Sequence, residues 1–332
     1  FINNNDPNNI PEKYFSNNKV VTHIDSFIPL NNFLNQGNYQ TTIKWKSSFD
    51  GGESQGTGQQ NPLFLADFGF TNDSIISFYF TEADDNLYNL INGEVSPYSW
   101  QSYALSYKKR LFNNKDNKFS ASIVSTIEYW KFTSGGTNSK SIFNNKDDSF
   151  GKEKYENLIG AFSFPLTKKF NKRVVVAFVP GVTFLPDKIG SKTIGKNAYG
   201  NNFYLGAGLV WNLLDNLKFL SSFTNPIGPG SNYFDSNLNF SNKSIYSYGL
   251  NWDVNQRIGI EGKITNSYGG TPSTGLLTIP SDNKPLYSAN LIYNPYGEDN
   301  KLNSLTEKDS LISFGGITVN NALIQDYGKS QG

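Results

Sequence analysis

The chain of 332 residues carries 29 basic and 28 acidic side chains, a single His, no Cys and no Met. Near-neutral charge gives no electrostatic footprint for nucleic acid, and the missing thiols exclude disulfides, thiolate catalysis and cysteine-ligated metals. Hydrophobic residues make up only 37% while aromatics reach 15%, with a mean hydropathy of -0.47; that mixture suits strands with one apolar and one polar face, and it offers no apolar run long enough for a transmembrane helix.

Residues 1–38 are rich in Asn and Pro, with one short strand expected over roughly 20–28 in KVVTHIDSFI. They read as a leader, a plug or an extra strand. A chain starting at Phe1 without Met reads as a mature or trimmed product, with any secretory signal already removed. A two-residue rhythm then begins, and since a strand sends successive side chains to opposite faces it sorts each segment into two faces.

QTTIKWKSSF sets Ile43 and Trp45 against Thr42, Lys44 and Lys46. PLFLADFGF and ISFYFTE, joined by TND, form a first hairpin, with Phe64, Phe68, Ile76 and Phe78 on one face and Leu65, Asp67 and Ser77 on the other. YSWQSYALSYKKRL sets Tyr103, Leu105 and Tyr107 against Ala104, Ser106 and Lys108, then returns through FSASIVSTIEYWKF, where Ile123, Ile127 and Tyr129 oppose Ser122, Thr126 and Glu128. The third hairpin, LIGAFSFPL to RVVVAFVPGVTF, is apolar on both faces of its second arm and fits least well. FYLGAGLVW with LKFLSSF is the fourth hairpin, YSYGLNW with RIGIEGKIT the fifth, and LYSANLIYN the last strand.

This makes twelve strands, and segments near 20–28 and 311–319 would raise the number to fourteen. Connections near 72, 115, 170, 215 and 255 are short, and those between them are long and rich in Gly, Asn and Ser. A compact soluble sandwich has no reason to make every second loop long, whereas an outer-membrane barrel has short periplasmic turns and long external loops. An even strand number also lets first and last strands pair and removes exposed edges.

The expected fold is therefore all-β, an antiparallel transmembrane up-and-down β-barrel over 39–294, preceded by the 1–38 segment and followed by a tail or additional strand over 295–332. Lys44, Lys46, Asp67, Lys108, Glu128, Arg173, Lys218, Glu261 and Lys263 fall at polar positions and are the candidates for lining a pore. Trp100, Tyr129, Trp211, Tyr246, Trp252 and Tyr293 gather near strand ends, where a bilayer places aromatic girdles. Ordinary core packing for the rings, and a solvated outer face for the charges, are the competing readings of these residues.

SQGTGQQNPLFLADFGFTND feeding a hairpin, the turns in GFTNDSIISF and LLDNLKFL, and the alternation of loop lengths resemble outer-membrane β-barrels of Gram-negative bacteria, particularly the Asn-rich porin-like barrels of cyanobacterial type. The resemblance implies residence in the outer membrane with lipid and small solutes as partners. Such barrels usually end on a strand with a terminal aromatic, whereas this sequence ends in GKSQG, so LYSANLIYNPY would be an internal last strand followed by a tail.

The function these readings support is a passive pore for small solutes without cofactor or metal. A non-conducting receptor, adhesion or structural barrel and a secreted soluble β-sandwich binding protein are the alternatives, and self-association into a homo-oligomer is left open. Enzymatic activity is not expected: nucleophile chemistry needs a base, and the only imidazole is His23, outside the well-patterned strands.

Overall fold

The computed structural model describes residues 20–48, 61–83, 93, 97–136, 153–187, 199–278, 285–295, 313–314 and 317–318. Alternation dictates the elements. In LFLADFGF, Phe64, Ala66, Phe68 and Phe70 at every second position give one apolar, largely aromatic face of a pleated half-buried surface, and the Asn72–Asp73 pair supplies a tight turn.

The strands, in chain order, begin with a small pair, β1 (His23–Asp25) and β2 (Ile28–Pro29). The large sheet contains β3 (Tyr39–Ser48), β4 (Leu63–Thr71), β5 (Ser74–Ala83), β6 (Tyr98–Asn114), β7 (Phe119–Ser134), β8 (Glu153–Ser163), β9 (Leu166–Lys169), β10 (Val174–Phe184), β11 (Asn202–Leu214) and β12 (Leu217–Pro229). After a short pair, β13 (Tyr233–Phe234) with β14 (Phe240–Ser241), come β15 (Ile245–Asp253), β16 (Ile258–Thr265) and β17 (Leu286–Tyr293). β8 and β9 lie in one line between β7 and β10, interrupted at Phe164–Pro165 because proline cannot donate to the ladder. Counted as one, they make the ring twelve strands.

Every neighbour pairs antiparallel, and β17 closes onto β3, with Tyr293 opposite Thr41 and Leu286 opposite Ser48. No edge is left, the structural solution for a sheet that cannot hydrogen-bond to its surroundings. Among the described residues, the segments at 20–28 and 311–319 add no strand to this ring: β1 pairs with β2, and β18 (Ser313–Phe314) pairs with β19 (Ile317–Thr318) in the C-terminal unit, Gly297–Gly332.

The wall turns its apolar face outward. Ile43, Trp45, Phe64, Phe68, Phe78, Leu105, Ile127, Phe178, Leu205, Phe223, Leu250 and Leu291 are all exposed. Their alternates are buried, as in Leu63–Thr71 and Leu286–Tyr293. Such a continuous apolar belt greatly exceeds the few hundred Å² that a water-soluble monomer exposes, so its solvent is lipid. Among the described residues no helix is long and apolar enough to cross a membrane, and the crossing is done by strands. This is a transmembrane β-barrel.

Phe223 lies in the middle of β12, opposite Ala207 of β11 and Tyr246 of β15. Phe223→Arg is expected to lower folding stability in lipid vesicles by about 2–4 kcal/mol, the cost of a cation on the lipid face near mid-bilayer. Reversible denaturant titration against the parent chain checks this, and an unchanged midpoint would place this face away from lipid.

Candidate functional site

Alternate side chains point inward, and two chain segments meet them there. The first, residues 20–34, belongs to the short-turn end: Gly37 and Gly69 exchange backbone bonds with residues 69 and 38, both 2.8 Å, and the Gln36 amide donates to Asn72 Oδ1 at 3.0 Å. It folds inside as the β1–β2 hairpin, with Ile24, Phe27, Ile28 and Leu30 almost wholly buried. The hairpin packs on Ala177 and Val179 of β10, Tyr204 and Val210 of β11 and Leu220 of β12. This explains the two-sided apolar character of VVVAFV: its inward valines face an apolar hairpin, not water. Gly206 and Gly208 make the room. A Cβ at Gly206 would lie 2.3 Å from Ile28 Cδ1, and one at Gly208 2.5 Å from Ile24 Cδ1.

The second segment, residues 266–278 between β16 and β17, comes from the long-loop end and is buried throughout. It is pinned as a turn by the Gly275 amide bonding to the Thr271 carbonyl at 2.8 Å and by the Thr271–Thr274 hydroxyl contact at 2.6 Å. The two segments touch. Phe27 lies over Gly275, where a Cβ would sit 2.3 Å from its ring, and Ser26 Oγ donates to the Gly270 carbonyl.

The inward charges converge on these segments. Lys108 Nζ donates to the carbonyls of Thr22, Leu30 and Asn32 at 3.3, 3.1 and 2.9 Å. Asp67 accepts from Thr22 Oγ1 at 2.8 Å and from Ser77 Oγ at 2.5 Å. Lys263 donates to the Ile24 carbonyl and lies 3.7 Å from Asp25 and 2.8 Å from Glu261. Lys46 Nζ donates to the carbonyls of Tyr268 and Gly269 at 3.1 and 3.0 Å, and Asn61 reaches the same Tyr268 carbonyl at 2.8 Å. Glu128 accepts from Thr271 Oγ1 at 2.6 Å and from Ser102. Glu261 accepts from Asn251 at 3.2 Å and Asn290 at 2.5 Å.

A small cavity of about 30 Å³, room for a water or two, remains among His23, Gln40, Lys44, Asn251, Glu261 and Asn290. Among the described residues Lys44 makes no hydrogen bond or ion pair, although it is buried.

Two of the polar candidates stand apart from this set. Lys218 is buried but pairs with Asp253 beside the β11–β12 turn. Arg173 is exposed in the β9–β10 turn, so it does not face the interior; there the Asn171 side chain accepts from the Arg173 and Val174 amides, at 2.7 and 2.8 Å, and turns the chain.

Of the aromatic candidates, Tyr129, Trp211, Trp252 and Tyr293 are exposed on the outer wall, and Tyr246, half-buried, stacks on Tyr248 with ring centres 6.2 Å apart. Trp100 is a correction. It is 1% exposed and packs inside, 5.1 Å from Trp130 and 5.3 Å from Tyr268, in a cluster with Tyr98, Phe132, Tyr199 and Phe234. Its parity is that of Ala104, Ser106 and Lys108, the inward set of β6, so alternation itself already placed it inside.

His23 Nδ1 lies 2.9 Å from Thr22 Oγ1, but that hydroxyl gives its proton to Asp67, so the ring is not its base. Among the described residues no three His, Asp or Glu side chains converge as a metal site.

No protein-family model and no curated protein matches the chain. Solved structures of similar shape include the KdgM porin, at 10% identity and TM-score 0.45, covering 76% of this chain and 98% of that one. The NanC porin has 8% identity and TM-score 0.43, covering 77% and 98%. A Pseudomonas aeruginosa FadL homologue has 8% identity and TM-score 0.42, covering 77% and 90%. These likenesses are distant.

Lys108→Met removes the donor to three carbonyls of residues 20–34, and Glu128→Ala the acceptor for the inserted 266–278 segment. Each lost charge-assisted bond is worth about 1.5–3 kcal/mol, so local opening is expected to rise at least about tenfold. Hydrogen exchange checks it: Lys108→Met should accelerate exchange in 20–34 and Glu128→Ala in 266–278, with the barrel strands unchanged.

Proposed function

We propose that this chain is an outer-membrane channel for small polar solutes, passive in mechanism, whose resting lumen is closed by residues 20–34 from one end and by 266–278 from the other. The observation that carries this reading is the charged wall. Wall side chains alone fill barrels of about eight strands, and a twelve-stranded ring leaves an interior that inserted segments fill. Here the wall keeps Lys44, Lys46, Asp67, Lys108, Glu128, Glu261 and Lys263 in its interior, where unpaired charge is expensive, and most of them find their partners on two inserted segments.

Those partners are largely backbone carbonyls and hydroxyls, groups for which water substitutes readily. When the 20–34 segment leaves, the same residues become the lining of a hydrated lumen, and selectivity comes from their charges. The outer belt of Tyr129, Trp211, Trp252 and Tyr293 suits the interfaces of an outer membrane, the setting in which closed barrels of this kind reside. A non-conducting barrel whose long loops do the work is the second reading; the depth of the aromatic packing around Trp100 and Trp130 favours it.

The absence of native cysteine allows a direct test. Thr22→Cys with Asp67→Cys replaces a 2.8 Å contact between plug and wall. In planar bilayers the oxidised pair is expected to show no conductance steps, and reduction is expected to restore them. Equal conductance in both states would show that 20–34 does not gate the lumen. Silence in both states from folded protein would favour the non-conducting barrel.

A further inference from the structure

The plug carries one carboxylate to a particular place. Asp25 Oδ2 accepts from Ser222 Oγ on β12, and Oδ1 lies 3.7 Å from Lys263 Nζ on β16. Lys44 and Lys46 on β3 add their field to the same carboxylate. Register explains why these lysines form one cationic face. Asn290 of β17 lies between Lys44 and Glu261, and Ser288 between Lys46 and Lys263, so two inward rows cross β3, β17 and β16.

All four charged members of these rows are buried, at 4–7% exposure. The wall here holds three lysines against one acid, Glu261, whose oxygens are already taken by Lys263, Asn251 and Asn290. Asp25 supplies the second negative charge. Without it the face has a net charge of about +2, three lysines less Glu261, inside a medium where uncompensated charge is costly. Lys44, which among the described residues makes no hydrogen bond, faces the small cavity beside this face.

We infer that Asp25 occupies, from within the chain, a binding site for the carboxylate of a small anionic solute. The solute's carboxylate takes the place of Asp25 on Lys263 and Ser222, with Lys44 and Lys46 as flanking cations, and in doing so displaces residues 20–34. The solute thus acts as its own key: what binds the cationic face is what loosens the plug. The inference rests on the channel reading for its purpose, but the site itself is defined by the Asp25 contacts whether or not the barrel conducts. A neutral solute has nothing to offer the face that Asp25 does not offer better, so the device discriminates by charge.

The test uses the full chain folded in detergent micelles, with gluconate as the anionic probe, sorbitol as its neutral counterpart and sodium chloride at matched ionic strength. Amide exchange in residues 20–34 is expected to accelerate roughly tenfold with gluconate, the scale of one charge-assisted contact, and to stay unchanged with sorbitol or chloride. Lys263→Met should abolish the response. Asp25→Asn, which keeps the shape and removes the competing charge, should exchange fast without gluconate and no longer depend on it.

Equal effects of gluconate and chloride would reduce the phenomenon to screening and overturn the site, as would an undiminished response in Lys263→Met or a protected, still responsive plug in Asp25→Asn. Because exchange is read without conduction, these outcomes are independent of the bilayer result. A gluconate response in a barrel that never conducts would keep the site and remove only the channel.

Discussion

A charge inside a barrel wall must be matched, and that requirement organises this structure. The outer face is settled by lipid, which demands apolar side chains and satisfied backbone, and the closed ring delivers both. The inner face is not settled by the ring alone. Most of its lysines and acids are matched by backbone carbonyls of residues 20–34 and 266–278, by hydroxyls such as Thr22 and Thr271, and by one another. The two inserted segments are therefore the counterpart of the wall's charge pattern, and the β1–β2 hairpin adds an apolar contact with β10–β12 that fixes its position.

This division of labour gives the closure a definite character. Apolar packing of Ile24 and Ile28 into the space left by Gly206 and Gly208 supplies shape, while Lys108, Lys263 and Asp67 supply a polar attachment. A plug held only by apolar contacts would be a permanent core. One held only by charges would be loose. The proposed release of residues 20–34 requires this combination, order at rest together with contacts that can be exchanged.

Much of the barrel was legible because alternation is a local property. Ile43 and Trp45 against Lys44 and Lys46, or Ile127 and Tyr129 against Glu128, fix both the strand and its orientation once loop lengths select lipid as the outer solvent. Strand number and order followed from the same rhythm. The interior was less legible, because what fills a lumen comes from elsewhere in the chain. KVVTHIDSFIPL has too short an apolar pattern to announce a hairpin, and GGTPSTGLLT reads as an external loop although its two leucines are fully buried. The signals lie in the sequence: inward valines on β10, paired glycines on β11 and inward Trp100 and Trp130 all mark places where a second layer must sit. Arg173 shows the limit in the other direction, since a charge next to a strand end belongs as easily to the turn as to the lumen.

The central claim is that residues 20–34 lie inside the lumen, closed off from solvent by the wall and by the 266–278 loop. Its most direct measurement is the reactivity of a single introduced cysteine toward a membrane-impermeant thiol reagent, in a chain that has no native thiol to interfere. Ile28→Cys should react orders of magnitude more slowly than Asn72→Cys in the exposed β4–β5 turn, since Ile28 has no accessible surface. Labelling of both positions at the same rate in the folded barrel would contradict the account.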